Sequence, residues 1–195
     1  MFSILESYLL SRGNFSECEI DTIIASGHLK NVQKKQIILR DLETKRQTIF
    51  VCGGCLQISR IGKTGVEHIV RLATENCWVG SLGNYKGGYP GGHSIVAIED
   101  GEIIQWSNQT IEKLQRDIPR FKDLHMEIRS ELIEECLNRI FSLVSLDARD
   151  KYNDYIESYP ELQGRVPLAI VATYLGVRRE TLTRLRKKTV SPESI

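Results

Sequence analysis

The spacing of apolar positions changes three times along the chain. Residues 1–30 read as short helices. Ser16 and Glu19 are spaced as a capping box, in which each side chain satisfies an orphan backbone N–H, and Ile20, Ile23 and Ile24 follow at helical steps. From about Val32 to Ser107 the texture becomes that of strands. Ile37-Ile38-Leu39, Thr48-Ile49-Phe50-Val51, Leu56-Gln57-Ile58, His68–Leu72, Ser94–Ile98 and Glu102–Trp106 are short, β-branched and separated by turn residues. Gly53-Gly54, Lys63-Thr64-Gly65 and Glu99-Asp100-Gly101 supply the turns, because glycine reaches positive φ without steric cost. Short strands at roughly ten-residue spacing predict an antiparallel sandwich or barrel.

After Asn108 glycine disappears until Gly164, and the pattern turns helical. A short helix is predicted around Thr110–Asp117, ending near Pro119. A long one follows over 119–145, with Phe121, Leu124, Ile128, Leu132, Ile133, Leu137, Ile140 and Val144 at three- and four-residue steps. That stripe suits either an intramolecular core or a seam against a second copy of the chain.

The C-terminal stretch carries the most specific pattern. Pro167 suits the first turn of a helix whose Leu168, Val171, Ala172 and Leu175 share one face. Gly176 is placed to end that helix in a left-handed conformation, and Val177 to plug the turn. A second helix is predicted from about Arg178, with Leu182 and Leu185 facing inward. Its other faces carry Arg178, Arg179, Glu180, Thr181, Thr183, Arg184, Lys187 and Lys188. Two helices joined by so short a turn form a helix-turn-helix, whose second helix enters the DNA major groove. Arginine can take guanine O6 and N7 together, and a carboxylate can accept from cytosine N4. An acid inside a basic helix therefore suits base readout better than phosphate holding alone.

Charge sharpens this picture. The 195 residues hold 26 basic and 25 acidic side chains, a net charge of +1. Residues 165–195 alone carry +5, and the first 164 carry −4. A basic C-terminal module on a mildly acidic body points to a polyanion partner. Apolar residues make up 41% of the chain, enough for a real core. No run approaches the roughly 18 apolar residues of a membrane span. The start Met1-Phe2-Ser3-Ile4-Leu5-Glu6 lacks the pattern of a signal peptide, so the expected location is cytoplasmic, with reduced thiols.

At the second helix the chain resembles the CRP/FNR family of bacterial transcription regulators. Arg179-Glu180-Thr181-Leu182-Thr183-Arg184 matches that family's recognition helix, and Leu175-Gly176-Val177 its turn. The resemblance covers the whole chain and implies an α+β fold. An N-terminal antiparallel β-roll, like that of cyclic nucleotide-binding proteins, would span residues 1–118 with flanking helices. The dimerisation helix would take 119–145, and the helix-turn-helix domain 146–195, with a hinge near Leu146-Asp147. CAP, a member of the family, is one of the standard examples of helix-turn-helix docking. The resemblance assigns base contacts to Arg179, Glu180 and Arg184. It leaves phosphate or secondary contacts to Arg178, Thr181, Thr183, Lys187 and Lys188. It implies double-stranded DNA and a second copy of the chain as partners, with RNA polymerase as a further one.

The chain departs from the family twice. Only Thr189–Ile195 follows the second helix, too short for the wing hairpin often found there. The effector loop is also altered. Where cyclic-nucleotide binders carry Gly-Glu-Leu, this chain has Gly80-Ser81-Leu82, and the Arg-Ser position falls near Gly91-Gly92. The loop Asn84–His93 contains no arginine, so no fixed cation is present for a cyclic phosphate. Lys86 would serve only in a refolded loop. The expectation is that neither cAMP nor cGMP is a cofactor.

Other chemistry is sparse. Gly80–Gly92 holds six glycines but no Walker ending, and reads as a surface loop or a reshaped effector loop. Cys52-Gly53-Gly54-Cys55 has metal or redox spacing, yet it also reads as a hairpin turn with a cysteine at each strand end. Cys18, Cys77 and Cys136 read as small core residues. His28, His68, His93 and His125 do not cluster, and no catalytic set, paired carboxylates or zinc signature appears. The chain is expected to be a regulator and not an enzyme. The alternative is a small-molecule or redox sensing module acting through protein partners.

Overall fold

A computed structural model of the chain describes residues 3–40, 47–80 and 93–190, the side chains of 187–190 excepted. It contains two compact units, residues 1–130 and 131–195.

The first unit is an α+β roll. It opens with α1 (Ser3–Ser11) and α2 (Glu17–Ala25). The predicted capping box is present: the Glu19 N–H donates to Ser16 Oγ, and the Ser16 N–H donates to the Glu19 carboxylate at 2.8 Å. That backbone bond, with the Ser16 hydroxyl, holds the Glu19 carboxyl below its ordinary pKa. Among the described residues eight strands follow: β1 (His28–Val32), β2 (Ile37–Leu39), β3 (Gln47–Gly53), β4 (Leu56–Ile61), β5 (Glu67–Ala73), β6 (Trp78–Gly80), β7 (Ser94–Ala97) and β8 (Gly101–Ser107). They form two four-stranded antiparallel sheets, ordered β1-β8-β3-β6 and β2-β7-β4-β5.

Strands β3 and β8, at the centre of the first sheet, are buried on both faces, and this explains the continuous apolar run of β3. Ile49, Val51 and Ile103 point into the space between the sheets, against Leu56, Ile58, Ile95 and Ala97. Phe50, Trp78, Ile104 and Trp106 point the other way and meet Leu5, Leu9, Ile20 and Ile23 of the helices. A strand covered on both sides needs no polar alternation. Trp78 stacks on Trp106 at 5.3 Å between ring centroids. The Trp106 indole donates to the Ile23 carbonyl at 3.1 Å, satisfying an orphan acceptor in the last turn of α2.

Two strands depart from the sequence reading. β1 occupies 28–32, where helix was expected up to residue 30. Its polar His-Leu-Lys-Asn run becomes a strand by pairing with β8 along one edge. β6 is three residues long and exists by pairing with β3, with Phe50 opposite Trp78.

Ser107 then caps α3 (Asn108–Asp117), accepting from the Thr110 N–H at 3.1 Å, and Pro119 opens α4 (Pro119–Ser145). The apolar stripe of α4 divides. Phe121 and Leu124 are fully buried in the first unit, whereas Ile133, Leu137, Ile140 and Val144 are exposed. Cys136 on α4 and Cys18 on α2 are exposed too, correcting the expectation that they fill core space; Cys77 is half-buried.

Candidate nucleic-acid interface

The second unit builds the helix-turn-helix on a small core. After α4, Asp147 caps α5 (Ala148–Ser158), accepting from the Arg149 N–H at 2.7 Å and the Asp150 N–H at 3.0 Å. Those two bonds hold the Asp147 carboxyl below its ordinary pKa. A short 3₁₀ turn, Pro160–Leu162, leads on to α6 (Leu168–Leu175) and α7 (Arg179–Val190). Pro167 stands one residue before α6, at its N-cap, and its carbonyl accepts from Ile170 and Val171. Val171, Ala172 and Leu175 are buried as expected, and so is Tyr174, which the sequence pattern did not select. Leu168 is only half-buried. Tyr155, Leu162, Val166 and Leu182 complete the core.

The turn between the helices is the one the sequence predicts. Gly176 has φ of 66° and ψ of 31°, in the left-handed region. Its N–H donates to the carbonyls of Ala172 and Thr173, and the Val177 N–H donates to Ala172 at 3.0 Å. This closes the end of α6 and aims α7 away from it. Leu182, fully buried, fastens α7 to the core.

That anchoring leaves the opposite faces of α7 outward. Arg178, Arg179, Glu180 and Arg184 are exposed; Thr181 and Thr183 are half-buried. The i, i+4 rows put Arg179 with Thr183, and Glu180 with Arg184, side by side at the start of the helix. Among the described residues, none of the four charged side chains enters an ion pair. The Thr183 hydroxyl donates to the Arg179 carbonyl at 2.9 Å, which leaves its oxygen as an acceptor only. Glu180 in the first turn also meets the positive end of the α7 dipole. Lys187 and Lys188 lie within α7, but their side chains are outside the described residues.

In the first unit, Cys52 is the last residue but one of β3 and Cys55 precedes β4, each 1% exposed. Burial, then the charge of Glu102, pushes the Cys52 thiol up to about 11. A thiol protonated at neutral pH is a poor nucleophile and metal ligand. The altered effector loop, with Ser81, Lys86 and Gly91-Gly92, lies outside the described residues.

The molecule thus defines a class: an antiparallel β-roll, a long helix and a helix-turn-helix in one chain. Residues 29–117 match the family model of the cyclic nucleotide-binding domain. FixK2 from Bradyrhizobium japonicum superposes with a TM-score of 0.73 at 12% identity, over 84% of each chain. A CooA double mutant from Carboxydothermus hydrogenoformans gives 0.71 at 16% identity, over 93% of this chain and 82% of that one. A protein from Eubacterium rectale, described as a transcriptional regulator of the CRP/FNR family, gives 0.69 at 14% identity, over 90% and 84%. No curated protein matches by sequence. Residues 29–117 are thus similar to the cyclic nucleotide-binding domain family, and the chain has the fold of these solved structures, one of them described as a CRP/FNR regulator.

Proposed function

We propose that this protein is a sequence-specific DNA-binding transcription regulator of the CRP/FNR type, active as a homodimer on a palindromic site. The observation that carries the reading is the outward face of α7. Arg179, Glu180 and Arg184 stand exposed at the start of a helix held by the left-handed Gly176 turn. Arg179 and Arg184 are the guanine readers, and Glu180 is the acceptor for a cytosine amine. Arg178, Thr181, Thr183, Lys187 and Lys188 serve the backbone. A Lys/Arg footprint of this kind makes binding fall steeply with salt.

The second copy is supported by the apolar row on α4. Met126, Ile133, Leu137, Ile140 and Val144 are spaced by seven, four, three and four residues and are 54–81% exposed. Heptad-like spacing of uncovered apolar side chains suits a helix pair. A two-fold dimer would read half-sites about one helical turn apart. Cyclic nucleotides do not drive this regulator, because Asn84–His93 offers no arginine for the phosphate. No described helix is long and apolar enough to cross a membrane.

The test is selection of bound duplexes from a random DNA pool by the purified protein without added ligand. A palindromic consensus is the expected result. No enrichment by a folded, dimeric protein, with and without cAMP, would overturn the reading.

A further inference from the structure

We infer that Arg139 is a positioning residue for DNA readout, holding the end of α6, and with it the turn into α7, on the last turns of α4. The inference deepens the DNA-binding reading and rests on it. A helix end leaves its last four carbonyls without intrahelical partners. At the end of α6 the Gly176 and Val177 N–H groups serve Ala172 and Thr173. The next carbonyl, that of Tyr174, is served from another helix: Arg139 Nη2 donates to it at 2.8 Å. The same guanidinium lies over the Tyr174 ring, 3.7 Å from its centroid.

One side chain of α4 therefore grips both the backbone and the ring of Tyr174. Only arginine does both well, because its planar group stacks on an aromatic face while its N–H fork remains free to donate. The positive charge also meets the negative end of the α6 dipole. Tyr174 cannot evade this grip. Its ring is 5% exposed, packed between Tyr155 and Tyr159 at 6.0 and 6.3 Å. Its hydroxyl donates to Tyr159, whose hydroxyl donates to Glu135, one helical turn before Arg139. These last contacts are long, 3.5 and 3.4 Å, so Arg139 is the principal tie.

The consequence for readout is geometric. Tyr174 lies two residues before Gly176 and five before the start of α7. Groups that recognise a ligand must be held within about 0.5 Å of their working positions. Loosening Tyr174 would let α6, the turn and α7 shift together without unfolding, so base contacts would suffer more than phosphate contacts.

The experiment measures the affinity of the full-length protein for its selected site and for a random duplex, across a salt series, with thermal melting of each variant. Arg139→Gln is expected to weaken the specific site about tenfold and leave the random duplex within about twofold, with an unchanged salt slope. Arg139→Lys keeps a cation over the ring and should recover to within about threefold of the unsubstituted protein. Tyr174→Phe keeps ring and carbonyl and should bind normally. Unchanged specific affinity in Arg139→Gln overturns the inference. So do equal losses on both duplexes, with a lower salt slope (a phosphate contact) or a lower melting temperature (a merely structural role). If Arg139→Gln does not fold, Arg139→Lys decides alone: a loss within about threefold and confined to the specific site supports the inference, whereas no loss, or an equal loss on both duplexes, overturns it. Failure of the unsubstituted protein to prefer any site sinks the DNA reading itself, and this inference with it.

Discussion

The N–H of Gly176 donates to the carbonyl of Ala172 while Gly176 holds a φ of 66°. The Val177 N–H returns to the same carbonyl at 3.0 Å, and that bond requires the left-handed angle at Gly176, which turns the chain back onto the end of α6. A β-carbon at Gly176 would meet nothing nearer than Leu143 Cδ2 at 3.8 Å, an ordinary contact. The demand for glycine is therefore conformational and not steric.

Gly176→Ala should then cost roughly 1–2 kcal/mol, the left-handed penalty of an L-residue. Gly176→Asn should cost less, because asparagine tolerates that region, and Gly176→Val more. Thermal or denaturant unfolding of the three variants checks the order. A ranking by side-chain volume alone would contradict the conformational argument.

Substitution at the proposed readout positions should separate two kinds of contact. Arg179→Ala and Arg184→Ala are each expected to lose about 1–3 kcal/mol on the selected site and to relax base preference at one position per half-site. Lys187→Ala and Lys188→Ala should weaken all duplexes alike and lower the salt slope by about one each. Titrations at several salt concentrations distinguish the two. Full specific affinity in folded Arg179→Ala and Arg184→Ala would remove the assignment of base contacts.

The exposed row on α4 makes a prediction about assembly. Leu137→Glu and Ile140→Glu should convert the proposed dimer to monomer, because each would place like charges opposite each other in the proposed apolar seam. Both side chains are more than half exposed in the single chain, so neither change disturbs its core. Light scattering after gel filtration reads the mass directly. A dimer persisting in both variants would place the contact elsewhere.

His125 gives a pH dependence with a defined sign. Burial, with a smaller contribution from the Arg129 charge, lowers its pKa from 6.5 to about 4. It packs edge-on against Phe121 at 4.6 Å and Trp78 at 5.4 Å. Because the folded pKa lies below the unfolded one, the unfolded chain binds the extra proton first. The stability from a neutral His125 is intact above about pH 6.5 and declines as pH falls towards 4. His125→Gln, neutral throughout, should show a flatter melting profile over that window. Parallel profiles for the two proteins would refute a buried neutral imidazole.

Much of the fold was legible from local spacing. The α4 limits follow from Pro119 and an apolar repeat of three and four residues, and the Ser16–Glu19 capping box from two residue types at one spacing. The helix-turn-helix could be read because Gly176 marks a backbone angle that few residues adopt, between two runs of helical period. β1 and β6 could not be read in this way. His28–Val32 has little apolar alternation, and Trp78–Gly80 is too short to show any; each is a strand because β8 or β3 offers it hydrogen bonds.

At the candidate site the sequence placed Arg179, Glu180 and Arg184 on a charged helix, because helical period and the inward Leu182 settle which faces are left outward. It carried no sign of Arg139, an arginine among other charges on α4, nor of Tyr174 as the ring it covers. Sequence alone determined the local elements and the residue chemistry of the candidate interface, since both depend on neighbours within a few positions. The split of the α4 stripe into buried Phe121 and Leu124 and exposed Ile133 and Leu137, the double-sided burial of β3, and the grip of Arg139 on Tyr174 were decided by tertiary structure. Each depends on which surfaces meet across dozens of residues, and an apolar stripe or an arginine is chemically the same whether or not another element comes to cover it.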